Sequence, residues 1–273
     1  MQKLPTDILL LLVSDYIRND LEALRATSLL CRDIQPFSQR YIFSKITIRI
    51  TGGRSCQSKR VLEGLSLLSS SVFVHIKQLH LVNGDRGLSE RARNAWYRNL
   101  GPILEGVLRK FLSEGTLEGL SINGIIGEVG VIQEATARQL IEQLCQCPSI
   151  RSLEFTKVPG ELLFLPFSAQ LKHLTARHMS LLTPASHSVT DELQDSTSVA
   201  LESLSLHRDH VRGSPMEDPI RLLLSLMHTR ICLTRLKHVS IYFIGREYIS
   251  MLCNTFQACK GSLQSLDIKI SGK

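Results

Sequence analysis

Leu117-Glu-Gly-Leu-Ser-Ile122 is a six-residue pattern, apolar at its first, fourth and sixth places, to which this chain keeps returning. It comes back as Ile76-Lys-Gln-Leu-His-Leu81, Ile150-Arg-Ser-Leu-Glu-Phe155, Leu171-Lys-His-Leu-Thr-Ala176, Leu201-Glu-Ser-Leu-Ser-Leu206, Leu236-Lys-His-Val-Ser-Ile241 and Leu263-Gln-Ser-Leu-Asp-Ile268. The last two apolar residues of each copy stand two apart, which puts them on one face of a β-strand and the residue between them on the other. Most intervals hold an amphipathic helical stretch: Val61 to Leu68, Ile103 to Leu112, Ile132 to Leu144, Ile220 to Met227 and Tyr248 to Phe256. One strand and one helix cannot bury their apolar sides alone, so successive units must stack. The long connections predict parallel pairing of successive strands.

The pattern resembles the core of the leucine-rich repeat. What the resemblance implies is an α/β chain in which residues 47–273 form an irregular solenoid, with a curved parallel sheet inside and helices outside. The irregularity is read from the spacing: successive copies start 21 to 41 residues apart, and Ala176 and Val239 are weak matches. Leu182 to Val199, rich in Ser, Thr and acidic residues, reads as a mobile loop. Asp85 to Arg98 carries four arginines and the sole Trp, Trp96. It reads as a solvated helix with Trp96 packed inward, the alternative being a partner-binding insertion.

Ahead of the repeats stands LPTDILLLLVSDYIRNDLEALRATSLLCRDIQPFSQRYIFSKI, residues 4–46. Ile8, Leu9, Leu12, Val13 and Ile17 form one stripe of a first helix, which Pro5 opens and Asp7 complements at its positive end. Asn19 with Glu22 reads as a capping box for a second helix carrying Leu21, Leu24, Leu29 and Leu30. Pro36 starts a third, with Phe37, Tyr41 and Phe43 facing inward. Lys45 to Ile50 alternates as a strand, followed by a loop from Gly52 to Lys59. Three short helices cannot bury this much apolar surface among themselves, so part of it awaits another protein or the next domain.

Leu4, Pro5, Asp7, Ile8 and Leu9, with the later run from Leu21 to Arg32, resemble the F-box. The family often has a Trp shortly after its Cys-Arg pair, where this chain has Asp33 and Ile34. The resemblance implies a three-helix motif over residues 1–46 that docks on the Skp adaptor of a cullin-RING ubiquitin ligase. Leu4, Pro5, Ile8, Leu9, Leu24 and Leu29 would be its adaptor-binding residues. An ordinary helical cap on the following domain is the plainer reading.

The 273 residues suit one such motif and one larger domain. A net charge of +7 allows acidic partners, but the Lys and Arg residues are scattered and only 5% of residues are aromatic, so nucleic acid is not singled out. No apolar run is long enough for a membrane span, and the run Ile8 to Val13 is too short and too soon interrupted for a signal peptide. Seven irregularly spaced cysteines point to reduced thiols, hence to the cytoplasm or nucleus.

No catalytic set emerges, and no cofactor or metal is expected. Gly124, Gly127 and Gly130 are spaced three apart with no Lys-Ser or Lys-Thr after them, so a phosphate-binding turn is not indicated. Cys145 and Cys147 lack the further ligands of a zinc site, as do His207 and His210 with Asp209. The residues expected to face a target lie on the outward places of the strands: His80, Glu154, His173, Arg177, His207, His238, Tyr242 and Asp267, with Gln78, Ser121, Thr175 and Ser240 among them. The leading expectation is a non-catalytic receptor that holds a target protein for ubiquitin transfer. A repeat scaffold without ligase docking is the second, and an enzyme or nucleic-acid binder using the basic residues the third.

Overall fold

The computed structural model describes residues 5–17, 20–30, 32–50, 56–83, 90–124, 135–158, 162–163, 165–178, 199–207, 231–244, 252–253, 256–257 and 259–270. It is an α/β chain with a curved parallel sheet. Eight strands lie in the sheet in chain order: β1 (Lys45–Ile50), β2 (Gln78–Asn83), β3 (Gly119–Asn123), β4 (Ser152–Thr156), β5 (His173–Arg177), β7 (Ser203–His207), β9 (His238–Ile244) and β10 (Ser265–Ile270). Two short strands, β6 (Val199–Ala200) and β8 (Ile231–Cys232), pair with each other apart from it. All seven copies of the six-residue pattern run into sheet strands, and every sheet pairing is parallel.

What fixes the register is a single repeated bond arrangement just ahead of the strands. The carbonyl of Ser44 accepts the amides of Lys77 and Gln78, and that of Lys77 accepts those of Glu118 and Gly119. The same pair of bonds passes on through Glu118, Arg151, Lys172, Glu202 and Lys237, all at 2.8–3.1 Å. Each carbonyl thereby uses both of its lone pairs. The residues concerned are the second and third of the pattern, polar in nearly every copy because they sit at this rim.

The first, fourth and sixth residues form the core. Ile76, Leu117, Ile150, Leu171, Leu201 and Leu236 are fully buried, as are the inward pairs Leu79 with Leu81, Leu120 with Ile122, Leu153 with Phe155 and Leu204 with Leu206. The weak matches are buried too. Ala176 stands in register between Phe155 and Leu206, and a small residue beside the large ring keeps the layer at interior density. Behind the sheet lie α4 (Cys56–Leu67), α5 (Ser70–Phe73), α6 (Glu90–Glu114) and α7 (Ala135–Gln146), contributing among others Leu62, Phe73, Leu108, Phe111, Ile141 and Leu144 to the same core. Trp96, on α6, packs inward. No helix among the described residues is long and apolar enough to cross a membrane.

The first helices are α1 (Thr6–Leu11), which passes into a π-helical segment (Leu12–Ile17), α2 (Leu21–Leu30) and α3 (Gln35–Ile42). Several expectations are corrected here. Of the first-stripe residues whose burial is described, Leu9 and Val13 are buried, Ile17 is half-buried and Ile8 is exposed. The cap of α2 is Asp20, whose carboxylate accepts the amides of Glu22 (3.0 Å) and Ala23 (2.9 Å), so the expected Asn19–Glu22 box is displaced by one residue; Asn19 itself lies outside the described residues. Phe37, Tyr41 and Phe43 are half-buried, and Phe43 packs with Ile46 against the main core. Residues 56–59, read as loop, begin α4. Of the expected loop from Leu182 to Val199 only Val199, which opens β6, is described, and the expected helix from Ile220 to Met227 lies outside the described residues.

Replacing Ala176 by Leu would improve its match to the pattern yet force extra volume against Phe155. It is expected to lower stability by about 1–3 kcal/mol in urea unfolding. A gain in stability would show that Ala176 is not seated beside that ring.

Candidate functional site

The open face of the sheet is assembled from one residue in two on each strand. Register places His80, Ser121, Glu154, Thr175, Ser205, Ser240 and Asp267 in one row across the sheet. A second row nearer the strand starts runs through Gln78, Gly119, Ser152, His173, Ser203, His238 and Ser265. A third, nearer the strand ends, runs through Val82, Asn123, Thr156, Arg177, His207, Tyr242 and Lys269. Around β5, β7 and β9 the floor is therefore small and hydroxylic (Thr175, Ser203, Ser205, Ser240), with His173 and His238 on one side and Arg177, His207 and Tyr242 on the other.

These side chains are tied to one another. Glu154 accepts from the Ser121 hydroxyl (3.2 Å) and pairs with Arg177 (3.7 Å). Ser205 Oγ lies 2.6 Å from His207 Nε2, and the imidazole packs against the Tyr242 ring with centroids 4.1 Å apart. Tyr242 in turn donates its hydroxyl to Asp267 (2.5 Å), while Lys269 Nζ stands 4.5 Å over the ring. Hydrogen bonding to Asp267 raises the Tyr242 pKa. Burial, and then the positive charge of Lys45, lowers that of His80 against the opposing pull of Glu154.

His207 is the most perturbed imidazole of the face. Burial first, then Arg177 and His178, lowers its pKa from 6.5 to about 4, with Asp267 pulling the other way and Lys269 adding to the depression. It is neutral at physiological pH, a hydrogen-bonding and stacking group rather than a cation.

A charged rim borders the face where the strands begin. Lys77 pairs with Glu118 (3.3 Å), and Glu202 lies between Lys172 (2.7 Å) and Lys237 (2.9 Å). Hydrogen bonds from those two ammonium groups hold Glu202 well below the usual carboxylate range, at about 2. At the opposite ends of β3, β4 and β5 the chain turns through left-handed residues, Gly124 (φ 65°), Lys157 (φ 53°) and His178 (φ 54°). Each amide there donates to the last carbonyl of the next strand, Thr156, Arg177 and His207 respectively. That bond compensates Lys157 and His178 for a conformation that costs a residue with a Cβ about 1–2 kcal/mol.

All eight residues expected to face a target lie on this face. The structure draws Glu154 with Arg177, and His207 with Tyr242 and Asp267, into two neighbouring sets; His80, His173 and His238 stand beside them. Sequence reading missed Ser205, His178 and Lys269, the last because nothing in its neighbourhood along the chain signals Tyr242. Of the six residues expected to meet an adaptor, Pro5, Ile8 and Leu29 are exposed, whereas Leu9 and Leu24 are buried. Leu4 lies outside the described residues, as do Gly127, Gly130, Asp209 and His210. Burial pushes the Cys145 thiol up to about 12, and among the described residues no group of three His, Cys, Asp or Glu could hold a metal. No protein-family model, no curated protein and no solved structure matches this chain.

The His207 shift has a definite sign in pH. The unfolded chain takes up this proton as the pH falls through 6.5 and the folded chain only near 4, so its contribution is present above 6.5 and lost progressively on acidification through that window. NMR titration of the His207 imidazole is expected to give a midpoint near 4, and His207→Gln to flatten that part of the stability profile. A midpoint at 6.5 or above would contradict the described packing.

Proposed function

We propose that this protein is a non-catalytic substrate receptor of a cullin-RING ubiquitin ligase, with a leucine-rich-repeat arc presenting its open sheet face to a target protein and an F-box at residues 1–46 docking on a Skp-type adaptor. Through the adaptor the receptor joins a cullin, and its work is to hold the target near the ubiquitin-loading enzyme and so raise effective concentration. The compartment that fits is the cytoplasm or nucleus.

The observation that carries this reading is where apolar surface is left uncovered. Seven large hydrophobic side chains are exposed among the described residues, and five of them (Ile8, Leu10, Leu11, Leu21 and Leu29) fall on α1 and α2. Leu29 is 87% exposed, a costly position for a side chain with no partner. Leu9, Val13 and Leu24 on the same stretch are meanwhile buried. Short helices that leave this many large apolar side chains uncovered suit a second protein. The F-box-like residues Ile8 and Leu29 belong to this set, and Pro5 is exposed beside them in sequence. A polar, hydrogen-bonded sheet face at a distance from these leucines in sequence supplies the second, chemically different surface that a receptor needs.

Co-expression with a Skp adaptor tests the reading. The intact chain is expected to co-purify with it. Pro5→Ala, Ile8→Ala and Leu29→Ala combined should weaken the complex by at least about tenfold, as loss of central apolar anchors does, while leaving the thermal unfolding of the sheet in place. An undiminished complex, or none with the unaltered chain, would contradict ligase docking and leave a repeat scaffold.

A further inference from the structure

β10 is the last strand of the described sheet, and among the described residues no strand pairs with its outer edge. Its core-side residue Leu266 is 47% exposed, whereas Val239 and Leu204, its counterparts one and two strands further in, are buried. The amide of Ser265 donates to the carbonyl of Lys237. In a parallel ladder this turns the backbone groups of Ser265 and Asp267 toward β9 and those of Leu266 and Ile268 outward, where no described strand pairs with them. Asp267 and Lys269 stand on the open face, one on each side of Ile268 along the strand.

We propose that a second copy of this chain pairs antiparallel with this edge, about a twofold axis through Ile268. In that register Asp267 lies opposite the second copy's Lys269, and Lys269 opposite its Asp267. Both pairs fall at non-hydrogen-bonded positions, where side chains on facing strands come closest. Ile268 meets its own counterpart on the core side, next to the exposed Leu266. Sliding the strands by one pair in either direction keeps the same faces together but sets Asp267 against Asp267, or Lys269 against Lys269. Opposite charges that suit a single register make this edge complementary to itself, while a charged edge discourages other strands. The pairing joins two eight-stranded sheets into one and puts the two open faces side by side, so a target with two recognition segments would be gripped twice. It is independent of what docks on α1 and α2. An interface built around one six-residue strand makes a weak, concentration-dependent dimer.

Sedimentation velocity of the full chain, from low to high micromolar concentration, is expected to show a reversible monomer–dimer equilibrium. Asp267→Lys and Lys269→Asp each oppose like charges in the paired register and should leave only monomer, and the double exchange D267K/K269D should restore the dimer. A monomer at every concentration, a dimer that survives both single changes, or an exchange that restores nothing would overturn the proposal. Should the charge variants fail to fold, which circular dichroism would show, cysteine cross-linking decides. Ile268→Cys should form an interchain disulfide on mild oxidation above the level of the parent chain, because residue 268 faces itself at about 5.5 Å between Cα atoms. Leu266→Cys, set apart from its own counterpart, should not. Equal cross-linking of the two, or none at 268, would overturn the twofold register.

Discussion

Everything on the open face depends on seven backbone carbonyls, each accepting two amides from the unit that follows it. From Ser44 to Lys237 these paired bonds run along the start of the sheet. They leave no choice of register, and a shift of one residue would turn every inward leucine to water. The bonds are made by backbone, so the side chains at the same places are free to vary. They vary toward charge, which is why the rim carries Lys77, Glu118, Arg151, Lys172, Glu202 and Lys237.

The sheet was legible in the sequence because its physics is local and repeated. Apolar residues at the first, fourth and sixth places of each copy are what a strand with one buried face requires, and strand order followed from the length of the connections. Ala176 looked weak only when judged alone; the ring of Phe155 beside it, visible only in three dimensions, explains its size. The helix cap at Asp20 was missed by one residue because Asn19 and Asp20 offer the same chemistry to the same turn. Lys157 and His178 in left-handed turns were not legible at all. Only Gly124, at the matching place, carries a sequence signal for that conformation.

The site was half legible. Alternation placed all eight expected residues together on the open face, but it could not say which would touch. Glu154 with Arg177, and His207 with Tyr242, Asp267 and Lys269, join residues from strands far apart in the chain. The result is a face whose charges already have partners and whose nearby imidazole, His207, is neutral. Under the proposed receptor role, a target's polar groups would have to match hydrogen bonds already aimed, with little reorganisation of the face. Fixed polar geometry of this kind serves selectivity more than raw affinity, and it contrasts with the loose leucines of the first two helices.

Native-state hydrogen exchange, read amide by amide, is the most direct test of the bond series on which this description rests. The amides of Lys77, Glu118, Arg151, Lys172, Glu202 and Lys237 belong to polar rim residues with largely exposed or half-buried side chains, which by themselves give no reason for protection. If each is bonded to the carbonyl of the preceding unit, all six exchange far more slowly than an open chain, together with their neighbours Gln78, Gly119, Ser152, His173, Ser203 and His238. Exchange of these rim amides at open-chain rates, with only the apolar strand positions protected, would contradict it.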